Sequence, residues 1–264
     1  MDLALRGKRA LVTGSTLGIG FAIAKGLAAE GAAVVVNGRS AASVERALGR
    51  LRAAIPQGEV VGVAADAASA EGAAAIIARA GAIDILVNNL GIFEPKSFFD
   101  IPDEDWRRFF EVNVLSGVRL ARHYAPLMRE RQWGRILFIS SESGLNIPRE
   151  MIHYGTTKTA QLAISRGLAN ELAGSGVTVN AVLPGPTRTE GVETFIEDLA
   201  KQGGKSPAAV EEEFFETARP TSLIKRFAAP DEVANLAVYL ASPKAAATTG
   251  AALRVDGGVV NFIA

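Results

Sequence analysis

The sequence predicts one α/β domain built on a doubly wound, seven-stranded parallel sheet. Three observations support this prediction: short β-branched runs recur along the chain, alanine- and leucine-rich stretches with helical spacing separate them, and no repeat or linker divides the 264 residues. Strands that alternate with helices are typical of right-handed βαβ crossovers, which place helices on both faces of a parallel sheet. Residues 1–264 are therefore expected to form a single domain around one core.

The apolar runs give the order of these elements. Strands are predicted at Ala10–Val12, Ala33–Val36, Val60–Val63, Ile83–Val87, Ile136–Ile139, Val177–Leu183 and Ala252–Val255. Helices are predicted at Ile19–Ala29, Ala42–Ala53, Ala70–Ala80, Glu104–Arg131, Ile152–Ala173 and Asp231–Leu240. Nearly continuous apolar strands are typical of a parallel sheet buried on both faces. The pattern indicates a Rossmann-type sheet, in which ligands bind beyond the carboxyl ends of the strands.

Composition and charge argue against nucleic acid, membranes and metal ions as partners of this protein. Lys plus Arg and Asp plus Glu both number 28, so the formal net charge is zero and no global field attracts nucleic acid or an anionic membrane. No apolar run is long enough to span a bilayer. The chain has no cysteine and only two histidines, which excludes thiolate chemistry and gives no metal site. We expect a cytoplasmic protein whose partners are small molecules and copies of itself.

A glycine-rich turn follows the first predicted strand. Residues 13–20 read T-G-S-T-L-G-I-G and open the first helix. Glycines permit a tight turn that brings backbone N–H groups close to a diphosphate, and the helix N-terminus adds partial positive charge. This spacing resembles the T-G-x-x-x-G-x-G loop of the short-chain dehydrogenase/reductase family. The resemblance extends along essentially the whole chain, and it implies hydride transfer with a nicotinamide dinucleotide.

Cofactor choice is predicted from the end of the second strand. About twenty residues beyond the glycines, dinucleotide folds use a carboxylate for the ribose hydroxyl of NAD or an arginine for the phosphate of NADP. The chain reads Asn37-Gly38-Arg39-Ser40 and has no carboxylate there. Because a guanidinium can pair with a phosphate, we predict NADP over NAD, with a solvated Arg39 as the alternative.

The family resemblance implies further cofactor contacts. Asp66 is expected near the adenine, with a turn or capping role as the alternative. Leu90 stands where the family usually has alanine in Asn-Asn-Ala-Gly, and Asn89 is expected to be structural. The predicted cofactor-binding residues are Gly14, Ser15, Thr16, Gly18, Ile19, Gly20, Asn37, Arg39, Ser40, Asp66, Asn88, Leu90, Gly91, Tyr154, Lys158, Pro184, Gly185, Thr187 and Thr189.

The strongest catalytic pattern consists of Ser141, Tyr154 and Lys158. Tyr154 and Lys158 are four positions apart, which places them on one helix face. A nearby ammonium favours the phenolate, so Tyr154 is predicted to act as general acid and base. Ser141 precedes Tyr154 by 13 positions, as in the family, and its hydroxyl can hydrogen-bond the substrate oxygen. The neighbouring Ser140 is the competing assignment.

Asn113 matches a fourth catalytic position of the family. An asparagine is unfavourable inside a helix, and we expect it to distort the helix and hold a water that links Lys158 to solvent. A core asparagine satisfied by the backbone is the alternative. His153 is predicted to contact substrate or to pack, without transferring a proton, and His123 is predicted on a surface or interface.

The segment after the sixth strand is predicted to close over the site. The family uses the turn at Pro184 and Gly185 to wrap the nicotinamide, with Thr189 meeting the carboxamide and Thr187 as a close competitor. Residues 187–220 break the alternating rhythm and are predicted to form a substrate lid, with Gly203-Gly204 as a hinge. Further candidate pocket walls are Phe93, Glu94, Glu142 and residues 146–152. Glu142 is expected either to orient a polar or cationic substrate group or to be solvated.

The sequence therefore predicts an oxidoreductase that transfers a hydride between NADP(H) and a carbonyl or secondary alcohol. Its overall pattern is similar to that of 3-oxoacyl-carrier-protein reductases. An NAD-dependent diol or hydroxysteroid-type dehydrogenase is an alternative, and a catalytically silent nucleotide-binding protein is a weaker one. The family is commonly tetrameric, which implies a homotetramer formed through Glu104–Arg131, Ile152–Ala173 and the tail around Val255–Gly258.

Overall fold

The computed structural model describes residues 2–263 and centres on a sheet of seven parallel strands. The strand order across the sheet is β3-β2-β1-β4-β5-β6-β7. The strands are β1 (Arg9–Val12), β2 (Ala33–Gly38), β3 (Val60–Ala64), β4 (Ile85–Asn88), β5 (Gly134–Ile139), β6 (Val177–Pro184) and β7 (Ala252–Val255). The predicted doubly wound parallel sheet is confirmed.

Nine α-helices connect and cover these strands within the described residues. They are α1 (Gly18–Ala29), α2 (Ala41–Ala54), α3 (Ala70–Ala80), α4 (Asp103–Phe110), α5 (Ser116–Glu130), α6 (Ile152–Glu171), α7 (Glu190–Gly203), α8 (Pro207–Thr217) and α9 (Pro230–Leu240). Across residues 2–263, no helix combines the length and apolar character needed to cross a membrane.

Two apolar clusters lie on the two faces of the sheet. Ala10 and Val12 of β1 belong to one cluster, and Leu11 between them belongs to the other. Successive side chains of a strand point to opposite faces, so a strand buried on both sides must be apolar at every position. This explains why the predicted strands read as continuous apolar runs rather than as alternating ones.

The strand order reverses at β1, which pairs with β2 on one side and β4 on the other. Val12 lies beside Val36 of β2 and Val87 of β4. In an open parallel sheet, such a reversal leaves a crevice beyond the carboxyl ends of the two strands, because their connections leave in opposite directions. The backbone N–H of Thr13 donates to the Val87 carbonyl at 3.1 Å, so the chain segments that leave β1 and β4 begin side by side.

The helical stretch predicted at Glu104–Arg131 contains the distortion that was expected at Asn113. It consists of α4, a π-helical turn at Glu111–Leu115 and α5. Asn113 lies inside this turn, where the sequence predicts a distortion. A π turn inserts an extra residue into the helix and changes which side chains face the neighbouring elements. The distortion therefore decides where the Asn113 side chain lies.

Residues 187–220 contain α7 and α8, which pack on each other around a small apolar cluster of their own. Its buried members are Ile196, Ala200, Val210, Phe215 and Phe227. Phe195 and Leu199 point outward, with exposures of 43% and 38%. Gly204 ends α7 in the left-handed conformation, at φ 61°. The segment is thus a separate helical pair with a glycine turn between its halves.

His153 packs α6 against α4. Its ring is fully buried, 4.0 Å from the Phe109 ring and 6.0 Å from the Trp106 ring between centroids. Neither ring nitrogen has a hydrogen-bond partner among the described residues. Burial lowers the pKa of His153, and the charges of Asp105 and Glu94 oppose this effect. Of the two roles predicted for His153, substrate contact and packing, the structure shows packing. Burial of the ring favours the neutral imidazole.

A pH dependence of stability follows from this burial. The pKa of His153 lies below its ordinary value of 6.5, so the folded chain binds fewer protons than the unfolded chain. The stabilising effect of the neutral ring is complete above pH 6.5 and is lost as the pH falls through the lower, folded pKa. We predict that His153→Leu reduces the decline in the free energy of unfolding below this pH, measured by urea titration.

The matched control for this experiment is His123→Leu, because His123 is exposed on α5. That variant should keep the full acid-side decline of the parent chain. Identical pH profiles for the His153→Leu variant and the parent chain would show that His153 does not contribute to the decline.

Candidate active site

Ser141, Tyr154 and Lys158 meet at the carboxyl edge of β5. Ser141 follows this strand, while Tyr154 and Lys158 lie one turn apart on α6, as predicted. The Lys158 Nζ donates to the Ile139 carbonyl at the strand end, at 3.0 Å, and lies 5.6 Å from the centre of the Tyr154 ring. Lys158 is only 4% exposed. The sheet edge therefore fixes the amine beside the phenol ring.

The two adjacent serines have different surroundings. The Ser140 hydroxyl donates to the Lys158 carbonyl at 2.8 Å and is used in tying β5 to α6. The Ser141 Oγ accepts the N–H of Ser143 at 3.1 Å, and a hydrogen bond with Ser141 lowers the pKa of Tyr154. The Ser140 hydroxyl is thus used within the core, and Ser141 is the serine that affects Tyr154.

The pKa values at this centre differ from the expectation that Lys158 favours the phenolate. Burial raises the pKa of Tyr154 to about 12, opposed by the hydrogen bond with Ser141. The nearby Glu142 charge raises this pKa further, while Arg219 lowers it. Burial also lowers the pKa of Lys158 to about 7. In the chain alone, burial outweighs the predicted ammonium effect, and the lysine rather than the tyrosine titrates near neutrality.

Asn113 connects the π turn to the loop after β4 and to α6. Its Oδ1 accepts the N–H of Ile92 at 2.8 Å, and its Nδ2 donates to the Ile92 carbonyl and the Thr157 hydroxyl, both at 3.0 Å. This matches the alternative of an asparagine satisfied within the core. A Cβ on Gly91 would lie 3.3 Å from the Lys158 Nζ and 3.6 Å from Asn113 Oδ1. Asn113 and Lys158 therefore border one small space at Gly91.

The glycine-rich turn depends on backbone conformations that favour glycine. Gly14 and Gly18 have φ values of 58° and 57°. A Cβ on Gly20 would lie 2.4 Å from the Asn89 Nδ2, which leaves no room for a side chain. That Nδ2 donates to the carbonyls of Thr13 and Gly14 at 2.9 and 3.1 Å, so the structural role predicted for Asn89 is confirmed.

Ser15 and Asn37 support the turn from inside the protein. The Ser15 Oγ accepts the N–H of Asn37 at 3.0 Å, and the Asn37 Nδ2 donates to the carbonyls of Val63 and Ala65 at 3.1 and 3.0 Å. Both residues are buried. The side chains of Ser15 and Asn37 thus support the turn. The cofactor contacts predicted for these two residues would therefore be made by their backbone atoms. Ile19 packs its partly buried side chain on the core beneath α1.

Asn88 and Leu90 differ in orientation although they are close in sequence. Asn88 is buried beside Gly117 of α5, and its two amide atoms have no hydrogen-bond partner among residues 2–263. Leu90 packs on the glycine turn, since a Cβ on Gly14 would lie 3.4 Å from its Cδ1. The leucine that departs from the family pattern therefore fills the space beside the turn.

The remaining adenosine-side candidates are exposed at the same edge of the sheet. Ser40 caps α2 with its side chain, and Asp66 accepts a backbone N–H two residues ahead at 3.1 Å, which is the turn role considered for it. The Thr16 methyl group lies against Gly38. Arg39 is exposed and pairs with no carboxylate in the described chain. Its guanidinium is therefore accessible to an anion.

The Pro-Gly turn after β6 distinguishes the two candidate threonines. A Cβ on Gly185 would lie 2.4 Å from the Asp256 carbonyl, so only glycine fits there. Thr187 is buried and donates to the Gly185 carbonyl at 2.9 Å. Thr189 caps α7, and its methyl group would lie 3.1 Å from a Cβ on Gly18. Thr189 is thus the threonine that borders the glycine turn, while Pro184 ends the buried strand.

Glu190 contacts the glycine-rich turn, although the sequence does not single it out as a site residue. Its Oε2 accepts the N–H of Gly18 at 2.9 Å, across 172 residues of sequence. Its Oε1 lies 3.5 Å from the Arg50 Nη1. An acidic residue in the first turn of a helix is common because it stabilises the helix dipole, so the position of Glu190 does not indicate that it reaches another element.

Glu142 forms a buried ion pair with Arg219. The Arg219 Nε donates to Glu142 Oε1 at 3.0 Å, and its Nη1 donates to Glu150 at 3.3 Å. Glu142 and Arg219 are 3% and 8% exposed, so a solvated Glu142 is excluded. Burial raises the pKa of Glu142, and Arg219 opposes this. The pair joins the end of the 187–220 segment to the residue after Ser141. The sequence did not identify Arg219 as the partner of Glu142.

Phe93 and Glu94, two further predicted pocket-wall residues, lie in different surroundings. The Phe93 ring packs edge-on against Tyr154, with centroids 6.4 Å apart. Glu94 belongs to a surface network in which Arg108 contacts Glu94 at 2.7 Å and Asp105 at 3.1 Å. Phe93 is thus the wall residue in contact with the tyrosine. Within residues 2–263, no group of three histidine or acidic side chains could hold a metal ion.

Comparisons with known proteins agree with this geometry. A family model described as Enoyl-(Acyl carrier protein) reductase matches residues 14–260. The chain is similar to the "Uncharacterized oxidoreductase YvaG" of Bacillus subtilis (strain 168), with 48% identity over 263 residues and 100% of both chains covered. It is 38% identical over 255 residues to a D-beta-hydroxybutyrate dehydrogenase of Rhizobium meliloti (strain 1021), covering 95% of this chain and 98% of that one.

A similar solved structure is that of L-sorbose reductase from Gluconobacter frateurii, complexed with NADPH and L-sorbose. It has a TM-score of 0.93 and 34% identity, and 100% of both chains is covered. The structural match therefore extends over the whole chain and includes the seven-stranded sheet. The chain belongs to the short-chain dehydrogenase/reductase family of NAD(P)-dependent oxidoreductases.

Proposed function

We propose that this enzyme transfers a hydride between NADP(H) and a carbonyl or secondary alcohol, with Tyr154 as general acid and base. The observation that carries the proposal is the position of Ser141, Tyr154 and Lys158 at the sheet edge that also carries the glycine turn. The left-handed glycines and the exposed Arg39 fit a dinucleotide that bears an additional phosphate. The bound nicotinamide supplies or accepts the hydride.

The three side chains have separate tasks in this proposal. The Ser141 hydroxyl donates a hydrogen bond to the substrate oxygen, where negative charge develops during reduction. Tyr154 gives its Oη proton to that oxygen, or removes the proton when the alcohol is oxidised. Lys158, whose pKa is about 7, exchanges protons near neutral pH and supplies positive charge when protonated. Asn113 holds the loop and α6 around the amine.

Tyr154→Phe tests the proton-transfer role. We predict a fall in kcat of roughly 10²- to 10⁴-fold, the usual contribution of a positioned acid or base, with little change in the Kd for NADPH. Turnover is followed by nicotinamide absorbance, and binding is followed by nicotinamide fluorescence. Tyr239→Phe, a partly exposed position on α9, is the matched control. Full turnover by the Tyr154→Phe variant would contradict the mechanism.

Arg39 is proposed to select NADP. Replacing it with glutamine should lower kcat/KM for NADPH roughly fivefold, the order of one exposed charge pair, and leave kcat/KM for NADH unchanged. Arg46→Gln, at an exposed position on α2, should affect neither cofactor. A parent enzyme that prefers NADH would refute the proposed choice of cofactor.

Two arginines on the substrate side are paired with carboxylates. Arg219 is buried between Glu142 and Glu150, and Arg188 of the 187–220 segment pairs with Glu211. These guanidinium groups are therefore occupied by carboxylates and offer no free cation to a carboxylate substrate or an acidic carrier protein. We propose a neutral, hydroxyl-bearing ketone or alcohol, the chemistry that L-sorbose represents in the similar solved structure.

A paired substrate assay tests this choice. We predict a higher kcat/KM with L-sorbose and related neutral hydroxyketones than with D-beta-hydroxybutyrate, measured with both cofactors and in both directions. Glu142→Gln should lower kcat/KM, because Arg219 then loses its buried charge partner. If D-beta-hydroxybutyrate were the preferred substrate, the charge argument would be wrong, and an oxidative preference for NAD would favour the dehydrogenase alternative.

We also propose a cytoplasmic homotetramer, as the family resemblance implies. Leu223, Phe262 and Ile263 are exposed apolar residues, Leu223 lies against Gly258 just after β7, and their exposure supports an interface at this end of the chain. The exposed faces of α5 and α6 are the second candidate. Two-fold axes through two such faces would generate a closed tetramer.

A further inference from the structure

The carboxylate of Glu190 sits on the glycine-rich turn. Its Oε2 accepts the N–H of Gly18 at 2.9 Å, and its Oε1 faces Arg50 of α2 at 3.5 Å. Thr189, the preceding residue, places its methyl group against Gly18. The start of α7 is thus held on the turn by one hydrogen bond and one apolar contact, and an ion pair links it to α2.

The N-terminus of α1 has no acceptor of its own. Leu17 at the N-cap makes no side-chain cap, and the first turn of α1 has no acidic residue. The first N–H groups of a helix have no partner within the helix and attract anions. Glu190 therefore supplies an anionic acceptor from 172 residues away. A dinucleotide diphosphate uses the same kind of N–H groups at this turn in dinucleotide-binding folds.

We propose that Glu190 competes with the diphosphate of NADP(H) for the glycine-rich turn and latches α7 onto it before the cofactor binds. The inference rests on the NADP binding proposed above. A carboxylate and a diphosphate repel each other at contact distance, so cofactor binding must displace the carboxylate. Glu190 is the first residue of α7, and its displacement moves the start of that helix.

This latch couples the nucleotide site to the substrate side. Near the start of the 187–220 segment, Glu190 contacts the glycine-rich turn. Near its end, Arg219 pairs with Glu142, the residue after Ser141. Release of the first contact frees the start of α7, while the backbone pairing of Thr187 and Arg188 with Ala228 and the Arg219–Glu142 pair still hold the segment at its two ends. Cofactor binding thereby prepares the segment to rearrange around substrate.

The first test is the affinity of the cofactor-free enzyme for NADPH, measured by nicotinamide fluorescence. Glu190→Gln should lower the Kd roughly twofold to fivefold, since exposed charged contacts are weak and Glu190 is partly exposed. Glu193→Gln removes the same charge from the same helical turn, where the side chain is exposed, and should leave the Kd unchanged. An unchanged or higher Kd for the Glu190→Gln variant would overturn the competition.

The second test is amide hydrogen exchange of α7 without any cofactor. Glu190→Ala should accelerate exchange in the first turns of α7 relative to the parent chain, and Glu193→Ala should not. Equal exchange rates for Glu190→Ala and the parent chain would show that no latch exists. This measurement does not require NADPH binding, so it distinguishes failure of the latch from failure of the proposed cofactor.

Discussion

The parallel pairing of β1 with both β2 and β4 is the constraint on which the other features depend. It places Val12 between Val36 and Val87, so the chain leaves neighbouring strands toward opposite faces of the sheet. The crevice that results receives the glycine turn from β1 and the Asn-Asn segment from β4. Hydrogen bonds from Asn89 to the backbone of this turn then make the two segments one unit. Without this reversal the nucleotide residues would not share an edge.

Burial governs the chemistry of the catalytic centre as strongly as the charges do. The sheet edge and α6 enclose Lys158, whose pKa falls to about 7, while the pKa of Tyr154 rises to about 12. Both shifts disfavour the charged form, as expected in a region of low dielectric constant. Positive charge brought to this enclosed site has a large effect on the phenol, because little water is present to screen it. The same enclosure that raises the pKa of Tyr154 thus makes it responsive to its neighbours.

The 187–220 segment contacts the rest of the domain through a charged side chain near each end and through backbone pairing with Ala228. Glu190 meets the backbone of the glycine-rich turn, and Arg219 meets Glu142 beside Ser141. Between them, α7 and α8 bury a small apolar cluster that also includes Phe227. This cluster is separate from the two clusters on the faces of the sheet, so the predicted lid packs apart from the main core.

The parallel sheet, the order of its elements and the Ser141, Tyr154 and Lys158 pattern can be predicted from the sequence alone, because they depend on short periods and fixed local spacings. The sequence also indicated a distortion at Asn113, since an asparagine disfavours a helix interior. It did not reveal the π turn, the Arg219–Glu142 pair or the contact of Glu190 with Gly18. The π turn is a local change of hydrogen bonding that the helical spacing of the side chains does not reveal. The two carboxylate contacts join segments that are 172 and 77 residues apart, and a buried carboxylate cannot be told from an exposed one in a sequence. Which carboxylates are buried, and which groups they meet, therefore depends on the packing of distant segments.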